Sequence, residues 1–358
     1  MKKKQVVLLY GGRSVEHGVS INSAKNVARN IDKTKFEVFP IGITQSGKWF
    51  FTPEVSKLIQ KGSPVVLNLE TQKPYFNWEN KRILADVVFP LLHGTNGEDG
   101  SIQGFFKTLN LPVVGSDILG SSLAINKIIS KRLLHESGLP VANFISIKSS
   151  DKTKITFAGA KKKLGLPFMV KAASLGSSIG ISKVKLKDEF IPALESAFRY
   201  DTQVLLEQFI EGRELECAVL FNNPPKASLP GEVVVNKNYD FYTFEAKYVD
   251  PNAVTIQVPA ILPAKISKLI RELSVKAFQA LQCEDYARVD LFLTKNGSVY
   301  INEINTIPGF TDSSMFPMLW KQQGISFENL ITKLIKIALE KNKSNSKLVH
   351  NFNSNLKY

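Results

Sequence analysis

Short apolar runs alternate with amphipathic stretches in the first third of the chain. The apolar runs predict strands at Gln5–Tyr10, Phe36–Thr44, Ile83–His93 and Leu111–Gly115. One helical stretch follows the first run and ends at Ile31, and a second begins near Ser101. Strands that alternate with helices are typical of a parallel α/β sheet. The pattern therefore predicts an N-terminal α/β domain over residues 1–120.

The middle of the chain predicts a different arrangement, in which a loop rather than a helix joins two strands. A helix is predicted over Ser121–Ser137, before the helix-breaking Gly138 and Pro140. Strands follow at Pro167–Ala173, from Ile181, and at Gln203–Glu207. The loop over residues 174–180 is rich in Gly and Ser, and backbone N–H groups in such loops bind phosphate. We interpret residues 121–210 as a central domain.

The last third predicts an α+β domain over residues 211–342, followed by a polar, disordered tail over residues 343–358. Its elements are a strand at Leu215–Phe221, a helix at Ala264–Gln282, a hairpin over residues 286–305 and a helix over residues 326–341. Residues 232–258 contain several aromatic side chains and are interpreted as a long loop between strands. Long loops often cover active sites, so residues 236–252 are predicted to form a lid.

The hairpin carries the strongest chemical signal. Asn296-Gly297 between two apolar runs predicts a two-residue type I′ turn. That turn places Asp290 opposite Glu303 and Arg288 opposite Asn305. Carboxylate and amide oxygens in this arrangement suit Mg²⁺, and without metal the loss of one carboxylate charge should not destabilise the fold. The alternative is a structural cluster in which Arg288 alone neutralises both carboxylates.

Net charge and cysteine content limit the other functions. The 358 residues include 46 Lys and Arg against 32 Asp and Glu, a formal net charge of +14. This excess raises nucleic-acid binding as an alternative, but the lysines are dispersed and no nucleic-acid-binding signature is present, so no such partner is predicted. The two cysteines, the short apolar run at the start and the absence of a span of ~18 apolar residues predict a cytoplasmic protein without membrane contact.

Further candidates lie where predicted strands end. Glu16 and His93 follow strands of the predicted parallel sheet, where ligands bind. Lys171 lies on a buried strand, and a buried ammonium group needs an anionic partner. Taken singly, Glu16 also fits the first turn of a helix and His93 a hydrogen-bonded loop residue.

Together these pieces resemble the D-alanine–D-alanine ligases of the ATP-grasp superfamily, in family order over about residues 5–335. The matching stretches are Gly11-Gly12…Ser14…Glu16-His17, His93-Gly94…Gly97-Glu98-Asp99-Gly100, Lys171 with Leu175–Gly180, Glu207–Ile210, Glu245–Tyr248, Arg288-Val-Asp290 and Asn302–Asn305…Pro308–Thr311. The resemblance implies three domains, of which two α+β domains clasp ATP, and the ATP-dependent ligation of two D-alanines through an acylphosphate for peptidoglycan and cell wall synthesis. A D-alanyl-D-lactate ligase or another ATP-grasp ligase is the alternative.

The resemblance also implies the nucleotide and metal ligands. Lys127, Lys171 and, from the lid, Lys247 would hold the ATP phosphates. Glu207, Gln208, Phe209 and Ile210 would contact adenine, and Glu214 the ribose. Asp290, Glu303 and Asn305 would hold two Mg²⁺ ions, for which Mn²⁺ can substitute. A homodimer is also expected from the resemblance.

The amino-acid ligands implied by the resemblance lie elsewhere in the chain. Glu16 would bind the first D-alanine and form a hydrogen-bonded triad with Ser177 and Tyr248, with His93 nearby. Arg288 and the Gly309 N–H would stabilise the oxyanion, and Ser314 would bind the second carboxylate. Three positions depart from the usual family pattern, namely Gly18, Ala172 and Asp312. Of these, Asp312 lies near the expected second carboxylate.

Overall fold

The computed structural model describes residues 2–69, 73–176, 179–221, 223–236, 250 and 252–349. The helices are α1 (His17–Asn30), α2 (Ser101–Thr108), α3 (Ile118–Ile125), α4 (Lys127–Glu136), α5 (Phe157–Leu164), α6 (Phe190–Phe198), α7 (Ala264–Ala280), α8 (Met315–Gln322) and α9 (Phe327–Asn345). The strands are β1 (Lys4–Gly11), β2 (Phe36–Ile43), β3 (Trp49–Phe51), β4 (Ser63–Pro64), β5 (Val66–Asn68), β6 (Tyr75–Trp78), β7 (Lys81–Ile83), β8 (Val87–Pro90), β9 (Phe144–Lys148), β10 (Phe168–Ala172), β11 (Ile181–Val184), β12 (Gln203–Gln208), β13 (Arg213–Leu220), β14 (Lys226–Ala227), β15 (Gly231–Val235), β16 (Val254–Gln257), β17 (Tyr286–Leu293) and β18 (Val299–Asn305).

The N-terminal sheet confirms the predicted parallel arrangement around β1. Its order is β4-β3-β2-β1-β8, and β1 pairs in parallel with both β2 and β8. Strand β1 is buried from Val6 onward, as a central parallel strand requires. A small antiparallel sheet, β5-β6-β7, lies beside this domain and was not predicted. Its strands are only three or four residues long, too short for a clear alternating pattern.

Two predicted strands of this domain are wrong in extent. The run Ile83–His93 divides between β7 and β8, because Ile83 pairs in the small sheet and β8 begins only at Val87. The run Leu111–Gly115 is not a strand, since only Val113 bridges to Val88. Proline at 112 has no N–H to donate, and Gly115 turns the chain with φ +116°.

The central sheet is fully antiparallel, in the order β11-β10-β12-β9. Helices α5 and α6 cover one of its faces with apolar side chains such as Ala160, Phe190 and Leu194. The single helix predicted over Ser121–Ser137 is wrong, because it is broken at Asn126, which lies between the end of α3 at Ile125 and the start of α4 at Lys127. The Asn126 side chain accepts a hydrogen bond from the Ile129 N–H and caps α4.

The predicted opposition of Asp290 to Glu303 and of Arg288 to Asn305 is confirmed, but the predicted turn is wrong. Thr294 pairs with Ser298 around a three-residue loop, in which Gly297 alone has positive φ. A two-residue turn would have required positive φ at Asn296 as well. The one-residue shift at the turn is cancelled by a bulge at Asn302, between the Leu291–Ile301 and Asp290–Glu303 pairs.

The bulge determines on which face of the sheet the side chain of Glu303 lies. Without it, Glu303 would follow the side-chain alternation of buried Ile301 and point into the core. With it, Asn302 and Glu303 are both partly exposed, and Glu303 shares a face with Asp290. The hairpin belongs to the largest sheet, β16-β15-β13-β17-β18, which is antiparallel and packs its buried face on α7.

The C-terminal helices join this sheet to the N-terminal domain. One apolar core contains residues of β1, α1 and β8 together with residues of α8 and α9. Phe310 lies at its centre, with ring centroids 6.0 Å from Phe89 and 5.7 Å from Tyr286. Helix α9 continues to Asn345, so the predicted start of the polar tail at residue 343 is too early, while residues 350–358 lie outside the described ranges.

A buried carboxylate fastens the same junction. Asp285 is 1% exposed, accepts a hydrogen bond from the Gly115 N–H at 2.8 Å, and lies 2.9 Å from the Lys341 ammonium. Burial raises the pKa of Asp285 to about 6, although Lys341 and the Gly115 N–H act to lower it.

The pKa of Asp285 predicts a pH-dependent stability. Because the folded pKa lies above the unfolded value, the favourable contribution is complete below about pH 4 and is lost as the pH rises through about 6. A two-unit difference corresponds to roughly 3 kcal/mol. Urea unfolding of the native chain and of Asp285→Asn at pH values from 4 to 7 measures this contribution. The variant should lack the corresponding decrease, and identical pH profiles would contradict the prediction.

Candidate active site

One cavity of about 940 Å³ brings together predicted residues that lie far apart in the sequence. These are Glu16, His93, Arg288, Glu303, Asn305, Gly309 and Ser314. They come from α1 and its preceding turn, the loop after β8, the hairpin β17–β18 and the loop before α8. The cavity therefore lies where the N-terminal sheet meets the hairpin β17–β18.

Glu16 is placed by two glycines that leave room for its carboxylate. A Cβ atom at Gly94 would lie 2.5 Å from Glu16 Oε2, and one at Gly176 would lie 3.0 Å from the same oxygen. Gly94 also has φ +73°, which a side chain would disfavour. The loops after β8 and β10 thus approach Glu16 from two sides, and the carboxylate is 6% exposed. A buried carboxylate at a cavity wall suits the ammonium group of an amino acid.

His93 links α1 to the loop that carries Gly309. Its Nδ1 donates to the Ile307 carbonyl at 2.9 Å, so in the neutral ring Nε2 accepts from the Ser23 hydroxyl at 2.9 Å. Ser23 Oγ in turn accepts from the Phe310 N–H. Burial lowers the pKa of His93, although Glu16 nearby acts to raise it. His93 is therefore a neutral, doubly hydrogen-bonded residue at the floor of the cavity.

The hairpin carboxylates each have a cationic partner. Arg288 holds Asp290 through two hydrogen bonds of 2.7 Å, and Asn305 Nδ2 donates to Asp290 Oδ2 at 3.0 Å. Glu303 Oε2 lies 3.1 Å from the Lys127 ammonium, which is itself 6% exposed. The alternative in which Arg288 alone neutralises both carboxylates is therefore incomplete, because Lys127 is the cationic partner of Glu303. The expectation that loss of one carboxylate charge would not destabilise the metal-free fold did not include this partner of Glu303.

A buried three-charge cluster lies behind the hairpin. Glu207 is ion-paired with Lys171 at 2.5 Å through one oxygen and with Lys131 through the other. Lys131 Nζ also donates to the Asn302 carbonyl at the bulge. Burial acts to raise the pKa of Glu207, but the two lysines outweigh it and lower that pKa. Two ammonium groups against one carboxylate leave a net positive charge that suits phosphate.

The residues expected around adenine and ribose follow this cluster. Gln208 ends β12, and its side chain accepts from Asn143 Nδ2 at 3.1 Å. The Lys183 ammonium lies 3.9 Å from the centre of the Phe209 ring, and Ile210 is partly buried. Glu214 on β13 lies opposite Phe292. Burial acts to lower the pKa of Lys171, but Glu207 outweighs burial and raises that pKa, and Glu214 adds a smaller effect in the same direction.

The loop from Thr306 to Ser314 presents backbone to the cavity. Ser314 Oγ accepts from the Thr311 N–H at 2.9 Å, and a Cβ atom at Gly309 would lie 2.7 Å from the same oxygen. Phe310, which is fully buried, anchors the loop between them. Glycine at 309 therefore allows the backbone to pass close to Ser314 at the wall of the cavity.

Some predicted positions lie outside the described ranges, namely Ser177, Lys247, Tyr248 and most of the lid. Three charged residues at the site were not among the predicted site residues, namely Lys131, Glu98 and Glu216. Burial raises the pKa of Glu98 well above its usual value, with the Glu16 charge adding to the effect. Glu216 lies directly opposite Asp290 and 2.9 Å from Arg288.

The sequence held a signal for only some of these positions. The spacing of Lys131 four residues after Lys127 put both on one helix face. The pairing of β13 with β17 could not be read from local pattern, so Glu216 gave no signal.

The donor set fits a hard cation. No group of three or more His, Cys, Asp or Glu side chains suited to a metal occurs in the described part of the chain. Two carboxylates and an amide nevertheless lie on one face of the hairpin. Such a site suits Mg²⁺, which keeps several waters and binds substrate phosphates in place of a protein cage. Asp290, Glu303 and Asn305 are therefore chemically suited to Mg²⁺ bound with a nucleotide.

The antiparallel sheets with buried lysines beside carboxylates, together with the structural relatives, assign the protein to the ligases with a three-domain ATP-grasp fold. Family models described as "D-ala D-ala ligase N-terminus" and "D-ala D-ala ligase C-terminus" match residues 5–116 and 133–336. The chain is 42% identical to the D-alanine–D-alanine ligase of Shouchella clausii, over 97% of this chain and 98% of that protein. The chain belongs to the D-alanine–D-alanine ligase family.

Solved structures agree with this assignment. The D-alanine–D-alanine ligase from Coxiella burnetii superposes with a TM-score of 0.85 at 35% identity, covering 97% of each chain. The VanG D-Ala:D-Ser ligase from Enterococcus faecalis superposes with a TM-score of 0.84 at 36% identity, covering 94% of this chain and 100% of that one.

Among the described residues, no helix is long and apolar enough to cross a membrane.

The Glu303–Lys127 ion pair changes the expected behaviour of Glu303→Gln. In metal-free protein the substitution leaves the buried Lys127 without its charged partner, so the unfolding free energy should fall by about 1–3 kcal/mol. If Glu303 is a metal ligand, the affinity for Mn²⁺ in the presence of ATP should also fall. Urea unfolding and electron paramagnetic resonance titration of Mn²⁺ measure the two effects.

Glu211→Gln provides the matched control, because Glu211 is paired with Lys295 at an exposed site and neither residue lines the cavity. It should leave both quantities unchanged. Native Mn²⁺ affinity in Glu303→Gln would remove Glu303 from the metal site.

Proposed function

We propose that this chain joins two molecules of D-alanine into D-alanyl-D-alanine, with ATP converted to ADP and phosphate, for peptidoglycan precursor and cell wall synthesis. ATP and D-alanine are the substrates of the family to which the chain belongs. The observation that carries the proposal is one cavity lined by the buried carboxylate of Glu16, by Arg288 and Gly309, and by Glu303 and Asn305 of the hairpin.

In the first half of the reaction, the carboxylate of one D-alanine attacks the γ-phosphate of ATP. Glu16 binds the ammonium group of this D-alanine, and His93 forms the adjacent wall. Lys127 and Lys171 hold the phosphates, with Lys247 contributed from the lid over residues 236–252. Glu207 fixes Lys171 through their buried ion pair. Residues Gln208 to Ile210 and Glu214 bind adenine and ribose.

In the second half, the amine of another D-alanine attacks the acylphosphate carbonyl, and phosphate leaves. Arg288 and the Gly309 N–H stabilise the negative charge that develops on the oxygen of the tetrahedral intermediate. Ser314 binds the carboxylate of the incoming D-alanine. Ser177 and Tyr248, which lie outside the described residues, would join Glu16 in a hydrogen-bonded triad. The lid excludes water, which would otherwise hydrolyse the acylphosphate.

Asp290, Glu303 and Asn305 would hold Mg²⁺, or Mn²⁺ in its place. The metal would supply positive charge to the phosphate oxygens during transfer. Arg288, which holds Asp290 in this structure, has Glu216 as a second carboxylate partner at 2.9 Å. Arg288 therefore keeps an anchor when Asp290 binds metal.

We also propose that the protein is a homodimer and that it lies in the cytoplasm. Exposed apolar side chains on α2 and α3, such as Phe105 and Leu119, support a subunit interface.

Cys217 and Cys283 are free, buried thiols, as a reducing compartment allows. Burial raises the pKa of Cys217 to about 11 and that of Cys283 to about 12, so both are unreactive.

The reaction is tested by phosphate release from ATP with D-alanine, L-alanine, D-lactate and D-serine in turn. D-alanine alone should support release and dipeptide formation, and L-alanine should not. D-Serine is included because one structural relative is a D-Ala:D-Ser ligase. Activity with D-alanine plus D-serine or D-lactate that exceeds activity with D-alanine alone would reassign the second substrate.

The proposed triad predicts a change in product in Tyr248→Phe. The substitution removes a hydroxyl group beside the first D-alanine and keeps the ring, so ATP affinity should barely change. One lost hydrogen bond corresponds to about 0.5–1.5 kcal/mol. An amine must lose a proton before it attacks, whereas a hydroxy acid has no ammonium group. We therefore expect less D-alanyl-D-alanine and more D-alanyl-D-lactate, with the depsipeptide favoured at lower pH.

Product analysis with D-alanine and D-lactate together, from about pH 6 to pH 9 around the α-amino pKa, measures the ratio. Tyr248 would have no part in substrate selection if the ratio matched that of the native enzyme at every pH.

A further inference from the structure

Asp312 adds a negative charge to the cavity in which the second D-alanine carboxylate is proposed to bind. Its side chain lines the same cavity as Gly309 and Ser314, and it lies two residues from Ser314. Like charges in one site repel, so an uncompensated Asp312 would oppose binding of a carboxylate there. A substrate carboxylate should therefore bind more tightly there when this charge is neutralised.

Arg29 on α1 supplies the neutralising charge. Its Nη2 atom lies 2.5 Å from Asp312 Oδ2. The same nitrogen donates to Asn26 Oδ1, and Asn26 Nδ2 donates to the Phe310 carbonyl at 2.8 Å. Asn26 is 6% exposed, so the guanidinium group is fixed by a buried side chain that also holds the loop. The ion pair is exposed, but its geometry is set by the fold.

The surroundings of the pair are basic. Lys25 and Lys57 line the same cavity as Arg29. With Asp312 neutralised, these two lysines leave the mouth of the cavity net positive, which favours entry of a substrate carboxylate. If Asp312 were unpaired, its negative charge would cancel the charge of one of these two lysines close to Ser314.

We propose that Arg29 is a positioning residue for the second D-alanine, because it neutralises Asp312 and so allows a carboxylate to bind beside Ser314. This inference rests on the proposed ligation of two D-alanines. It adds to that reaction a residue of α1 that acts on the second substrate through Asp312.

Steady-state phosphate release at varied D-alanine concentration tests the proposal, with the two D-alanine constants separated by a two-site rate law. In Arg29→Gln the KM for the second D-alanine should rise about two- to fivefold, the range expected of a solvent-exposed charge. The KM for ATP and kcat should stay unchanged. The difference from the native enzyme should shrink as salt is added. Arg29→Lys, which keeps the charge, should remain close to native.

Two further variants separate the pair from a general effect of charge. Arg29→Gln combined with Asp312→Asn should restore the native KM, because no uncompensated carboxylate remains. Lys25→Gln removes the same charge from an exposed position one helical turn earlier in the same cavity wall, without removing the partner of Asp312. It should raise the KM less than Arg29→Gln does.

The proposal is wrong if Arg29→Gln leaves the second KM unchanged, if Lys25→Gln has an equal effect, or if the double variant is as impaired as Arg29→Gln. These outcomes concern only the second substrate and leave the ligase activity of the native chain in place. A native chain that releases no phosphate with D-alanine would instead overturn the proposed function, and this inference with it.

Discussion

Two carboxylates that face each other across a half-buried hairpin need positive charge nearby, and this requirement organises the site. Asp290 obtains it from Arg288, and Glu303 obtains it from Lys127 at the start of α4. Lys127 is held in turn by the Leu175 carbonyl, in the loop that approaches Glu16. The need to compensate one pair of charges therefore joins the hairpin, α4 and the loop after β10 into one unit.

The second constraint is steric and lies at Phe310. This side chain is fully buried among aromatic residues of β8, β17 and the C-terminal helices. The residues on either side of it are Gly309, which lines the cavity, and Thr311, whose N–H donates to the Ser314 hydroxyl. Aromatic packing thus fixes a loop that would otherwise have many conformations, and α1 reinforces it through Asn26 and His93. Pre-organised donors of this kind are what stabilisation of an oxyanion requires.

The sequence predicts local chemistry well and long-range partners poorly. The parallel β1–β2 pair, the hairpin faces and the cavity residues Glu16 and His93 follow from short patterns of strand, turn and helix. The break at Asn126 was missed because the apolar pattern continues through it, and only the side-chain cap reveals it. Glu216 and Glu98 could not be identified, since their importance depends on strand pairing and burial set by distant residues. The hairpin register was obtained with the wrong turn, because the unpredicted bulge at Asn302 cancels the error.

The ion pairs of the site connect residues that the reaction is proposed to separate. Lys127 and Lys171 are proposed phosphate ligands, yet each is paired with a carboxylate, Glu303 or Glu207. Arg288 is the proposed oxyanion ligand, yet it holds Asp290. A buried unpaired charge would cost several kcal/mol, so these pairs keep the fold stable before substrates bind. Substrate and metal would therefore exchange with existing partners, and affinity reflects the difference between two paired states. Asp312 follows the same rule at the mouth of the cavity, where Arg29 neutralises it.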